Sequence, residues 1–329
     1  MIIEFAEFMR KNYSYIIVAT LIISIIIGFY TSYLGELLKI FSIPLTILMI
    51  ASMGFTIKFK NFLLALKDIR GFSIGIILNF IFSPILCYVV SLLIPNPKIA
   101  TGIILIGAIP CAGMAIVWTG LLEGDVPLAT VINTGTMIVA PFLIPVIMFY
   151  FAGSYVKINI IDMFLNLICT ILIPIFIGIG LREVLEKKAD VKHYLPLCPA
   201  ISSLCAILLM FIAVNTSMPL LMKNVSVLPS LLISIAITFP SMFSVAYLTS
   251  KKFPYKKTIA ITYSSGMKNL PIGLGIAILS FGMLTASVIA IGFAFQMLTA
   301  VGFYRVFQRN LRNISNLTSF SKQEGKHND

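Results

Sequence analysis

Ten mostly apolar runs, each long enough to cross a bilayer as a helix, set the first limit on this chain. They occupy 13–30, 37–56, 72–93, 99–122, 126–151, 158–181, 194–214, 225–248, 258–281 and 284–307. A span needs about 20 apolar residues, and inside hydrocarbon every backbone N–H and C=O must find a partner within the protein. Helices meet that demand segment by segment, so the sequence predicts an all-α integral membrane protein of ten transmembrane helices. The scarcity of charge agrees: 11% of the 329 residues are charged, against about 25% in a soluble domain.

The remaining charges predict orientation. Four Lys or Arg fall in each of the connections 57–71, 182–193 and 249–257, against at most one in any connection on the opposite side. Cytoplasmic loops carry that excess, which places both termini in the cytoplasm and the chain in the cell membrane. Residues 1–12 form a cytoplasmic N-terminus, and the polar tail 309–329 reads as disordered. The net charge of +12 therefore reports topology against a lipid bilayer and argues against nucleic acid as a partner. All twelve acidic residues lie at segment ends, in loops or in tails. The five cysteines show no metal-ligand spacing, and the two histidines lie in a polar loop and a polar tail. An intramembrane enzyme needs an acid, a base or metal ligands at depth. No metal, cofactor or catalytic residue is expected, and the sequence leaves the oligomeric state open.

Ten spans divide into five and five, 13–152 and 153–308. Five is odd, so the second set enters the membrane opposite to the first, the arrangement of inverted-repeat transporters. The fourth span of each half carries an interruption. In 99–122 it is Gly107-Ala108-Ile109-Pro110-Cys111-Ala112-Gly113, and in 258–281 it is Ser264-Ser265-Gly266-Met267-Lys268-Asn269-Leu270-Pro271. Proline removes a backbone donor and glycine loosens the rest. Broken backbone survives at membrane depth only where it is buried in protein or lines water. Lys268 is the one charged side chain placed deep in a span. Its cost of at least ~2.5 kcal/mol there turns it toward a cavity or the bundle interior.

Matched interruptions point to a midplane binding site. The candidate residues are Pro110, Cys111, Ala112, Gly113 and Met114 from the first break and Ser264, Ser265, Lys268, Asn269 and Pro271 from the second. Asn133 joins them because it lies near the level of the first break. Helix N-termini after each break offer N–H donors and partial positive charge. With Lys268 they predict a small organic anion as the solute. Asn79, Thr136 and Gln296 are read mainly as interhelical hydrogen bonds, and Trp118 as an interfacial anchor or a cavity wall.

The order of these motifs resembles the superfamily joining bile acid:sodium symporters to arsenite exporters, over nearly the whole chain. Cys111-x-x-Met114-x-x-Val117-Trp118 followed by Gly124-Asp125 is similar to the exporter fourth span, whose cysteine is functionally required. Ala140-Pro141-x-x-x-Pro145 and Gly266-Met267-x-Asn269 look like the symporter branch. The resemblance implies ten spans with broken, crossing fourth and ninth helices, and a secondary transporter. The chain also departs from both branches. Ala115-Ile116 stand where symporters carry sodium ligands, Ser264 where they carry a glutamate and Lys268 where they carry a glutamine. An ammonium there repels sodium, so sodium coupling does not carry over. A proton is the alternative coupling ion, or Lys268 itself fills the vacated site as a built-in cation. Pro271 replaces an acidic residue of the exporters, and metalloid efflux through Cys111 is the second reading. A solute-sensing receptor is the third.

Overall fold

The structure is a computed structural model that describes residues 2–57, 68–187, 195, 197–223 and 225–324. In chain order the α-helices are α1 (Ile2–Tyr30), α2 (Tyr33–Leu38), α3 (Ser42–Thr56), α4 (Ile69–Ile77) and α5 (Ser83–Ser91). Next come α6 (Pro97–Ala108), α7 (Met114–Leu121), α8 (Val126–Ala152), α9 (Ile160–Leu167) and α10 (Ile173–Glu186). The rest are α11 (Leu197–Lys223), α12 (Leu228–Ser250), α13 (Tyr255–Gly266), α14 (Leu270–Ser280) and α15 (Met283–Glu324).

Some of these join into longer rods. A 3-10 turn at Lys39–Phe41 links α2 to α3, and π turns at Leu78–Phe82 and Ile168–Leu172 link α4 to α5 and α9 to α10. Each π turn runs directly into a helix whose first turn holds a proline, Pro84 or Pro174. Proline takes away an i→i−4 donor, and the wider turn absorbs the mismatch. The sequence gives no warning of the π geometry. In contrast, α8 runs through Pro141 and Pro145 without a break.

Seven segments among the described residues are long and apolar enough to cross a membrane, from Tyr33–Thr56 to Met283–Asn310. Shorter apolar helices lie at Tyr15–Tyr30, Pro97–Ala108 and Leu270–Ser280. Ile22, Ile26, Phe29, Ile81, Val89 and Ile177 are exposed along these rods. So much exposed apolar surface would be a liability in water, and in a bilayer it faces acyl chains. The protein is an all-α, multi-pass membrane protein.

Two groups of helices enclose the middle of the molecule. In one, α1 packs along α11, α11 on α3, and α3 on α10. The last contact is backbone to backbone: a methyl group at Gly178 would strike the Ala51 carbonyl and lie 2.7 Å from the Phe55 nitrogen. In the other group α5 packs on α6, α12 on α13, α14 on α15, and α8 touches α6, α7 and α13. Contacts of α11 and α3 with α14 join the two groups. The final helix continues to Glu324, where the sequence predicts a disordered tail. No proline or glycine interrupts 310–324, so nothing in the chain stops it. Residues 325–329, and the basic stretches 58–67 and 188–194, lie outside the described residues.

Candidate functional site

The two interrupted helices meet at their breaks. The chain leaves α6 after Ala108 and resumes as α7 at Met114; it leaves α13 after Gly266 and resumes as α14 at Leu270. Between them Ala112 N–H donates to the Met267 carbonyl at 3.0 Å and Asn269 N–H to the Pro110 carbonyl at 2.8 Å. Cys111 and Lys268 thus face each other as an antiparallel bridge. Neighbouring helices serve the groups left over. Thr136 Oγ1 on α8 accepts from Cys111 N–H at 3.2 Å, and Gln296 Oε1 on α15 accepts from Lys268 N–H at 2.8 Å. Asn133 Nδ2 donates to the Cys111 carbonyl at 2.9 Å. At these positions the non-helical backbone is satisfied within the protein, as burial at membrane depth demands.

The helices that restart after the breaks are finished differently. Asn269 caps α14, its Oδ1 accepting from Ile272 N–H at 3.4 Å, and Pro271 follows in the first turn, a favourable start for a helix. Gly113 precedes α7 and provides no side-chain cap. Among the described residues, no hydrogen-bond acceptor meets the N–H of Gly113 or Met114.

A cavity of about 340 Å³ ends at this crossover. On one side it is walled by Tyr13 of α1, Met53 of α3 and Ser202 and Ser203 of α11. Ala112, Gly113, Met114, Asn133, Asn269, Pro271 and Gln296 wall the other side, and the cavity extends out to Thr56, Ile57 and Pro199. Lys268 is the charged residue in its lining. Its amine, however, is fully buried and lies within hydrogen-bonding reach of the Asn79 carbonyl at 3.0 Å, Asn79 Oδ1 at 3.1 Å, the Gly107 carbonyl at 3.1 Å and the Ile109 carbonyl at 3.3 Å. The inward placement expected of Lys268 holds, but the amine directs its donors at protein oxygens and not into the cavity.

Seven of the residues proposed from sequence line the cavity: Ala112, Gly113, Met114, Asn133, Lys268, Asn269 and Pro271. Pro110, Cys111, Ser264 and Ser265 do not. The Cys111 thiol is fully buried and donates to the Ala112 carbonyl at 3.4 Å. The hydroxyls of Ser264 and Ser265 are buried with no partner among the described residues. Trp118 does not line the cavity: its ring stacks on Tyr263 at 5.9 Å and 5°, tying α7 to α13. Asn79, Thr136 and Gln296 make interhelical hydrogen bonds, as their polar side chains inside apolar spans suggest. Tyr13, Met53, Ser202 and Ser203 carried no such signal.

At the end of α13 remote from the crossover, Lys257 pairs with Asp68 at 2.7 Å. Asp68 also accepts from Gly71 N–H at 3.3 Å and so caps α4. Partial burial pushes the Asp68 carboxyl up, but the bonds from Lys257 and Gly71 outweigh it and hold the group below its ordinary range. The same bond from Asp68 raises Lys257.

Crossed helix breaks bonded to each other through their own backbone, with a cavity ending on them, fit the construction of a membrane transporter. The comparisons with known proteins give the family. The model of the Sodium Bile acid symporter family matches residues 43–224, over half the chain, and the chain belongs to that family. It is a secondary transporter of a small solute across a membrane. It is 26% identical over 236 residues to the uncharacterized sodium-dependent transporter YocS of Bacillus subtilis, covering 71% of this chain and 72% of that one. It is 25% identical over 219 residues to the uncharacterized protein YbaS of the same organism, 65% of this chain and 70% of the relative. An arsenical-resistance protein of Alkaliphilus metalliredigens is 26% identical over 171 residues, covering 46% of this chain and 47% of its own length. The chain therefore lies between the two branches of the superfamily.

Proposed function

We propose that the chain carries a small organic anion across the cell membrane, bound in the cavity at the crossing of α6–α7 and α13–α14. The observation that carries this reading is the uncapped start of α7. The N–H groups of Gly113 and Met114 border the cavity and have no acceptor among the described residues. Free N–H groups and the positive end of a helix suit a carboxylate. A volume of about 340 Å³ falls within the range of small-molecule sites, roughly 300–1,000 Å³.

In this reading Gly113 and Met114 hold the anion, with Ala112, Asn133, Asn269 and Pro271 around it. Pro110, Cys111 and the Lys268 backbone keep the crossover in register, and Ser264 and Ser265 lie behind it. Metalloid efflux through Cys111 gains no support from a thiol that does not line the cavity.

The architecture we propose is ten spans in two inverted repeats, 13–152 and 153–308. The seven long segments, Tyr15–Tyr30 and the two interrupted helices supply ten. The pairing of Thr136 with Cys111 and of Gln296 with Lys268, from the helix after each break, supports a twofold relation. The cavity reaches the helix ends at Thr56 and Pro199, beside the basic connections 57–71 and 182–193. With both termini cytoplasmic, this is a cytoplasm-facing state.

The test is flux in proteoliposomes containing the purified chain, with labelled small carboxylates, their neutral amides and cationic amine analogues. Saturable flux of carboxylates over both other classes is expected. Flux confined to neutral or cationic solutes would refute the anion assignment.

A further inference from the structure

Three carbonyls in the middle of the protein have lost their helical partners, and one side chain collects all of them. Ser83 N–H donates to the Leu78 carbonyl, one residue further back than in an α-helix. The Asn79 carbonyl would then need the N–H of residue 84, which is proline and has none. The Gly107 and Ile109 carbonyls belong to the end of α6, and the break removes their next acceptor-seeking groups. Cys111 N–H is turned to Thr136 at 3.2 Å, and Gly113 lies past the bend. Lys268 Nζ sits among these three oxygens and Asn79 Oδ1, between 3.0 and 3.3 Å from each. No acidic side chain pairs with it among the described residues.

Neutral oxygens converging on one buried point are how a protein replaces the water shell of a monovalent cation. Two of these oxygens end a helix, where partial negative charge gathers. Close packing keeps the cage small: a methyl group at Gly107 would lie 2.7 Å from the Ser83 carbonyl and 2.9 Å from Cys87 Cβ. The Asn79 amide leaves no slack either, because Nδ2 donates to the Gly75 and Ser264 carbonyls at 2.9 and 3.0 Å.

We propose that this cage is a monovalent-cation site whose ion is covalently attached. The Lys268 ammonium holds the α4–α5 junction, the end of α6 and the second break together, as a dissociable cation would. The transporter accordingly needs no sodium at this place, although a relative carries sodium dependence in its name. The structural claim stands on the cage alone; the claim about sodium in transport rests on the proposed function.

The experiment is thermal unfolding of the full detergent-solubilised chain and of Lys268→Ala in ammonium, methylammonium, sodium, potassium or choline chloride at one ionic strength. Wild type is expected to melt at the same temperature in all five salts. Lys268→Ala is expected to melt several degrees lower in choline and to recover part of the loss with at least one of the small cations. No salt-specific recovery in the variant, or a rise of wild type in sodium over choline, overturns the proposal. If Lys268→Ala does not fold, the wild-type comparison still decides. In proteoliposomes, wild-type flux is expected to be equal in sodium and choline media, and sodium-stimulated flux overturns the proposal. Absence of flux in every medium counts against the transport reading and leaves the thermal result to judge the cage.

Discussion

The two breaks are assembled from the same parts and end up with opposite tasks. Each has a proline, each exchanges one backbone hydrogen bond with the other, and each has one N–H served by a polar side chain from the following long helix. The first break then leaves its helix start bare, with two N–H groups against the cavity. The second caps its helix start with Asn269 and sends Lys268 backwards into the protein. One interruption keeps unpaired N–H groups among the described residues, where the proposed solute would bind, while the other is filled. Two breaks built from similar parts therefore do not need equivalent chemistry, because the side chains around each break decide which backbone groups remain unclaimed.

Four substitutions would break or sharpen that contrast. The largest effect is expected from Gly113→Leu. A Cβ at Gly113 meets only Met53 Cε, at 4.0 Å, so the melting temperature should hold while carboxylate flux falls at least about tenfold. Undiminished flux would free the first break from its assigned task. Next come Thr136→Val and Gln296→Leu, each of which strands a buried N–H at a cost of about 1–3 kcal/mol. Similar losses in denaturant unfolding would support equivalent bracing of the two breaks; a loss at one site only would end the comparison. Asn269→Ala removes the α14 cap and should cost about 1 kcal/mol, measured in the same way.

The smallest effect lies outside the membrane. Asp68 and Lys257 are each roughly a third exposed, so Asp68→Asn should cost no more than about 1 kcal/mol. The folded Asp68 carboxyl lies below its unfolded value, so its contribution is fully present above the unfolded pKa. It is lost as pH falls through the folded value. Wild type and Asp68→Asn should then differ in stability at neutral pH and converge in acid. A constant difference across that range would remove the carboxylate from the account.

Much of the frame was legible in the chain. Long apolar runs predict helices across a bilayer, and proline with glycine at 107–113 and 264–275 predicts where two of them stop. Lys268 could be placed inside because a charge cannot face lipid cheaply. Its destination was not legible. The cage needs a carbonyl freed by Pro84, two freed by the break at the end of α6 and an amide from Asn79, on two elements far from Lys268 in sequence. Asn79, Thr136 and Gln296 were visible as polar residues in apolar spans, but hydropathy does not say which backbone group each one meets. The same limit hid Tyr13 and Met53 in the cavity wall, where they look like any other residue of a buried face.

By itself the sequence determined that this protein crosses a membrane as helices, that two helices are interrupted, and that a positive charge goes inward. Those follow from solvation and from local backbone chemistry, which act along the chain. Only the tertiary structure decided that the interruptions bond to each other, that one helix start is capped and one is bare, and that the buried lysine amine is held by carbonyls. Hydrogen bonds are short and directional, so which donor meets which acceptor is settled only when distant segments are packed together.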